Sequence, residues 1–147
     1  YVLDTFYYDP TKYARKLSAQ EQAERIHDFI DEMTNKYGLY PTNMTIDSAD
    51  GGIYTQYWQM YNVQWSKVRK LGEPEMIDRV QDLLAQGRLF ALKTPGNETM
   101  LDEHKKYQWD PATVNSDKPR VIKEYDHSVD ALKYDVLDNE QLLGLSA

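Results

Sequence analysis

Residues 119–134 read P-R-V-I-K-E-Y-D-H-S-V-D-A-L-K-Y, an extended run that passes into an amphipathic helix. Arg120 to Tyr125 has strand character, and a helix starts near Asp126 and runs to about Asn139. Val129, Leu132 and Val136 line one helix face that can pack inward. His127 and Asp130, three apart, share an adjacent face. Two ligand-capable side chains are thus expected at the edge of a core. The plainer reading is that Asp126 caps the helix while His127 and Asp130 make surface hydrogen bonds, because acids are favoured in a first turn.

The upstream sequence alternates strands and helices. Tyr1 to Tyr8, rich in β-branched and aromatic residues, reads as a strand closed by Asp9-Pro10. Ser18 and Glu21 form a capping box, followed by Ala23, Ile26, Phe29, Ile30, Met33 and Tyr37 at helical spacing, with Gly38 as C-terminal cap. Pro41 to Asp47 reads as a strand ending in the turn D-S-A-D-G-G. Tyr54, Tyr57, Trp58 and Tyr61 make an aromatic helix face that suits a core better than a base-stacking platform. Val63 to Val68 and Arg88 to Leu92 suggest further strands. Pro74 opens a helix carrying Met76, Ile77, Val80, Leu83 and Leu84, and Gly87 ends it. Asn97 is expected to cap a helix with Met100, Leu101 and His104. Tyr107 to Pro111 and Arg120 to Tyr125 are expected to pair as a hairpin, and residues after Gln141 to fray. The pattern is α/β, and no linker divides it, so a single domain over 1–147 is expected.

A second polar cluster lies at Ile46-Asp47-Ser48-Ala49-Asp50. A carboxylate at the C-terminal end of a strand in an open α/β sheet faces the crevice where ligands bind. Capping of the next helix by Asp47 or Ser48 is the simpler alternative. Other chemistries lack their signatures: there is no phosphate-binding glycine loop, no H-E-x-x-H and no G-x-S-x-G. His27 and His104 read as surface or boundary residues on helices.

The 147 residues contain no cysteine, which excludes disulfides, thiolate metal sites and a cysteine nucleophile and is compatible with a cytosolic compartment. No apolar run approaches the ~20 residues that span a bilayer, and no leader pattern is present. The formal net charge is -7, against the usual basic footprint of a nucleic-acid binder. It is unevenly spread: residues 66–123 hold eleven Lys/Arg and nine Asp/Glu, so a local basic surface is feasible. Twelve tyrosines and three tryptophans would equally suit a carbohydrate-binding module. The chain opens at Tyr1 directly in a strand, which suggests a piece of a longer polypeptide.

Taken in order, three segments resemble the C-terminal nuclease domain of tailed-phage large terminase subunits: the Y-V-L-D-T-F-Y strand before the S-x-x-E helix, the I-D-S-A-D strand end, and D-H-S-V-D-A-L-K-Y. E-M-I-D-R-V-Q-D-L-L and G-R-L-F fit the same layout. The last segment is similar to the family's terminal D-H-x-x-D-A-x-R-Y helix and is the most specific of the three. The resemblance implies a ribonuclease H-like mixed sheet flanked by helices, here without its first two strands, and the endonuclease part of a DNA-packaging motor that cuts concatemeric double-stranded DNA in the host bacterial cytoplasm. It also implies two Mg²⁺ or Mn²⁺ ions, about 3.5–4 Å apart, held by carboxylates.

Carried over, Asp47 matches the second metal-binding acid, Asp130 the third, and His127 the histidine preceding it, a ligand or proton-handling group. Asp50 is a candidate outer ligand. The family's first acid has no counterpart before Asp47, and Asp4, in what resembles the third strand, is not assigned to it. Activity of this piece alone is therefore in question. Lys105, Lys106, Lys118, Arg120 and Lys123 are candidates for contact with the DNA backbone. Portal protein and small terminase subunit are the implied partners, and an exposed sheet edge would permit self-association. The rival expectation is a non-catalytic module that docks on the portal or on DNA.

Overall fold

A computed structural model describes residues 1–145. They form two compact units, Tyr8–Val68 and, in the other, Tyr1–Tyr7 with the chain from Arg69 onward.

In the Tyr8–Val68 unit, helix α1 (Ala19–Tyr37) begins with the expected capping box. The Glu21 amide donates to Ser18 Oγ at 3.2 Å, and the Ser18 amide donates to Glu21 Oε2 at 2.9 Å. Arg15 grips the same carboxylate with both guanidinium nitrogens, at 2.8 and 3.1 Å. Gly38 ends the helix at φ +64°, a conformation in which a Cβ would be strained. Strand β1 (Thr45–Ile46), helix α2 (Gly51–Tyr61) and strand β2 (Ser66–Lys67) form a β-α-β unit with parallel strands in register Thr45↔Ser66 and Ile46↔Lys67. Helix α2 packs on α1, burying Ala23, Ile53 and Tyr57.

The aromatic stripe of α2 splits. Tyr57 is 2% exposed, whereas Trp58 is 47% exposed. Ile53 and Tyr57, four apart, are the residues that enter the core, so the expected core face is rotated away from Trp58. His27 stands at the boundary, stacked on Tyr61 with centroids 3.7 Å apart and bonded through Nδ1 to the Tyr57 hydroxyl at 3.0 Å.

The second unit is built around helix α5 (His127–Asp138), which packs on α3 (Glu73–Ala85), α4 (Pro95–Lys106) and the short α6 (Glu140–Leu143). Val80, Leu83 and Val136 form its core, with Leu89, Leu132, Leu143 and Leu145 against them. The stretch after Gln141 therefore does not fray through residue 145. Leu143 and Leu145 are packed, the Arg79 guanidinium bonds Glu140 at 2.6 Å, and Arg88 donates to the Leu143 carbonyl at 2.8 Å. Residues 146 and 147 lie outside the described residues.

Several expected strands contract. Tyr1–Tyr8 and Arg88–Leu92 meet through one parallel bridge, Val2↔Ala91, and the expected hairpin is the single antiparallel bridge Trp109↔Val121. Hydrogen bonding explains the first. The Asn97 side-chain amide donates to the Leu92 carbonyl at 2.8 Å, the acceptor the next rung would use, and at 3.1 Å to the Val2 carbonyl, which also accepts from the Leu92 amide at 3.0 Å. Asn97 is 1% exposed, so it is a buried staple; the cap of α4 is Thr94, whose Oγ1 accepts from the Asn97 amide at 3.0 Å. No helix among the described residues is long and apolar enough to cross a membrane.

Candidate functional site

Asp47 follows β1 directly, at the carboxyl end of the strand as expected. Its Oδ1 accepts from the Ala49 amide at 2.9 Å, and its carbonyl accepts from the Asp50 amide at 3.0 Å. This turn precedes α2, whose N-cap position is Asp50, so neither Asp47 nor Ser48 caps the helix. Partial desolvation, then the neighbouring Asp47 charge, raises the Asp50 carboxyl above its ordinary value. The structure thus brings Asp47 and Asp50 into one turn of the Tyr8–Val68 unit.

His127 and Asp130 lie on the first turn of α5, in the other unit. Asp126 occupies the N-cap position but makes no side-chain cap bond. That task falls to Glu103 of α4, a residue the sequence reading missed. Its Oε1 accepts from the Ser128 amide at 3.1 Å and from the Ser128 hydroxyl. Glu103 is 6% exposed, and a buried carboxylate at a helix N-terminus is favoured by the helix dipole. The turn carrying His127 and Asp130 is therefore fixed from below by α4. The His127 ring lies at the surface, tilted against Tyr7 with centroids 6.4 Å apart.

One turn on, Lys133 is 2% exposed. Its Nζ ion-pairs with Glu73 and with Asp130 Oδ1, the latter at 2.8 Å, and donates to the Tyr107 hydroxyl at 2.9 Å. The Tyr107 hydroxyl donates to Glu73 Oε1 at 2.6 Å. Burial opposes the lysine's charge, yet Asp130, Glu73 and Tyr107 hold its pKa above the ordinary value. Burial would raise the Glu73 carboxyl, but Lys133 and Tyr107 hold it below the usual range. Burial, then the bond to Glu73, raises Tyr107. A second lysine, Lys123, reaches the same acids from outside, with Nζ 3.6 Å from Glu73 Oε2, 3.8 Å from Asp126 Oδ2 and 3.9 Å from Asp130 Oδ2.

Glu73, Asp126 and Asp130 supply carboxylate oxygens, the donor type a hard divalent cation prefers, and the Lys123 ammonium stands 3.6–3.9 Å from one oxygen of each. Among the described residues, however, no three His, Asp or Glu side chains are grouped to hold a metal ion. Lysines neutralise the acids around Asp130 instead.

The remaining candidates are dispersed. Lys105 pairs with Asp102 at 3.9 Å, Lys106 lies over the Tyr125 ring at 4.7 Å, and Lys118 and Arg120 are exposed beside the Trp109↔Val121 bridge. Lys123 is engaged by acids as described. Asp4, not assigned to the site, accepts from Thr94 Oγ1 at 2.6 Å and from the Thr5 amide at 2.8 Å. His104 bonds the Met100 carbonyl through Nδ1 at 2.8 Å.

A family model described as the terminase RNAseH like domain matches residues 2–138. Two crystal forms of the large terminase from a thermophilic bacteriophage are structurally similar, each at 20% identity over 93% of this chain, with TM-scores of 0.75 and 0.74. The same phage protein in complex with ADP gives 0.74 at the same identity and coverage. In each case the match spans 32% of the terminase chain. No curated protein matches the chain.

Proposed function

This chain belongs to the terminase RNase H-like domain family, and from that premise we propose that it is the endonuclease part of a phage DNA-packaging motor. The observation that carries the reading is the first turn of α5: a ribonuclease H-like fold sets His127 and Asp130 there, fixed by the buried Glu103. The composition-only carbohydrate reading falls with family membership, and the buried Tyr57 leaves no exposed aromatic row on α2.

In this reading Asp47 and Asp130 hold two Mg²⁺ or Mn²⁺ ions, with Asp50 as an outer ligand. When bound, such ions supply the activation of a water and the stabilisation of the departing oxygen in phosphodiester hydrolysis. The chain's own residues orient the ligands. Lys133 fixes Asp130 Oδ1, and the turn bond from the Ala49 amide fixes Asp47 Oδ1. His127, three residues before Asp130 on the same turn, is the nearby ligand or proton-handling group of this reading. Lys105, Lys106, Lys118 and Arg120 contact phosphates of double-stranded DNA without reading sequence. Portal protein and small terminase subunit are the partners, in the host cytoplasm.

The test is plasmid nicking in Mg²⁺ or Mn²⁺ by the full-length protein that carries this domain. Metal-dependent nicking that Asp47→Ala and Asp130→Ala each abolish supports the reading; nicking that survives both removes it. A second reading, a non-catalytic docking module, draws support from the lysines that already neutralise the acids around Asp130. It predicts no metal-dependent nicking, with DNA or portal binding unaffected by either substitution.

A further inference from the structure

We propose that Tyr125 is a positioning residue for DNA: its ring holds the Lys106 ammonium, with its charge uncompensated, where a backbone phosphate arrives beside the first turn of α5. The inference rests on the reading that this chain acts on double-stranded DNA. Lys106 Nζ lies over the Tyr125 ring, 4.7 Å from its centroid.

The lysines around α5 differ in where their charge is committed. Lys133 is 2% exposed and paired with Glu73 and Asp130. Lys123 stands among Glu73, Asp126 and Asp130, and Lys105 faces Asp102. Among the described residues Lys106 forms no ion pair with a carboxylate and rests on a neutral ring instead. A ring face attracts an ammonium through its quadrupole and leaves the full positive charge in place. A phosphate nearing the acids of α5 meets like charge, so an uncompensated cation here has a use that the paired lysines lack.

The pair is fixed from both sides. Tyr107, next to Lys106, is locked by Glu73 and Lys133. Asp126, next to Tyr125, is 9% exposed and occupies the N-cap position of α5. Tyr125 itself has φ +52° and is 54% exposed. A bulky residue in the left-handed region is an outlier that persists only where its surroundings impose it. Glycine would take this conformation without strain, and a ring more than half in water gains little from burial. The contact with Lys106 is what the strained tyrosine delivers.

The experiment is fluorescence anisotropy of labelled linear double-stranded DNA with the full-length protein that carries this domain, in EDTA so that no strand is cut, with thermal unfolding of each variant alongside. Lys106→Gln should weaken binding about three- to tenfold and make the slope of log affinity against log salt shallower by about 0.9, the share of one phosphate. Tyr125→Gly should weaken it about two- to fivefold while Tm stays at or above wild type, because the strain leaves with the ring. Tyr125→Phe should bind as wild type, and Tyr125→Gly combined with Lys106→Gln no more weakly than Lys106→Gln alone. Wild-type affinity in Lys106→Gln or in Tyr125→Gly, while the wild type itself binds, overturns the proposal and leaves the DNA reading standing. So does an additive double variant, a Tyr125→Phe as weak as Tyr125→Gly, or a Tm drop of more than about 4 °C in Tyr125→Gly. Absence of DNA binding by the wild type overturns both.

Discussion

Replacing Glu103 with alanine should loosen the turn that presents His127 and Asp130. The carboxylate is 6% exposed and accepts from both the amide and the hydroxyl of Ser128, which is itself 7% exposed. Its removal strands two buried donors, each costing about 1–3 kcal/mol when unsatisfied. Water entering the vacated space recovers part of this, leaving a net loss of about 3 kcal/mol. For a domain of this size, 1 kcal/mol moves Tm by about 2–4 °C, so the expected drop is about 6–12 °C. Glu103→Gln keeps an acceptor but loses the charge, and about half the effect should remain. The assay is thermal and urea unfolding of Glu103→Ala, Ser128→Ala and the double variant. The double variant should cost less than the sum of the singles, by about 1–2 kcal/mol, because the pair is one interaction. A Glu103→Ala midpoint within about 2 °C of wild type, or strict additivity, refutes the capping role.

Three further outcomes are expected. Lys133→Met strands Glu73 and Asp130 and should cost about 3 kcal/mol, with Glu73→Gln in the same chain restoring part of it, as read by urea unfolding. Gly96→Ala would put its Cβ 2.0 Å from the Thr5 carbonyl oxygen, a backbone atom that cannot step aside cheaply; a loss of about 1–3 kcal/mol is expected, and an unchanged Tm would contradict the close approach. Glu21 is held down to about 2 by Arg15 and by the Ser18 amide. A depressed carboxyl stabilises the folded state above its unfolded value of about 4.5 and loses that contribution as pH falls toward 2. The protection of amides at the start of α1, taken relative to their intrinsic exchange rate at each pH, should therefore fall over that window and do so less in Glu21→Gln.

Helices with strong end signals were legible in the sequence. Ser18, Glu21 and Gly38 bound α1 as their chemistry demands, and Pro74 opens α3 one residue after its start. The strands were overread. β-branched and aromatic residues mark an extended path, but ladder length depends on which neighbours take the carbonyls, and the Asn97 side-chain amide takes that of Leu92. The same residue misled the capping assignment of α4: asparagine favours caps, yet burial against the Val2 segment gives it another task.

The shared first turn of His127 and Asp130 was visible from spacing, and Val129 and Val136 are buried on the same helix as expected. Lys133 was not, because lysines are seldom buried unless paired. Its spacing of three from Asp130 was the available signal. Glu103 lay beyond sequence reasoning altogether, since it caps a helix 25 residues away.

Anomalous diffraction from crystals soaked in Mn²⁺ tests whether Asp47 and Asp130 hold divalent metal, as proposed. Mn²⁺ peaks are expected about 2.0–2.3 Å from oxygens of both carboxylates. Peaks that bypass both residues, while Mn²⁺ is bound elsewhere on the same chain, would contradict it.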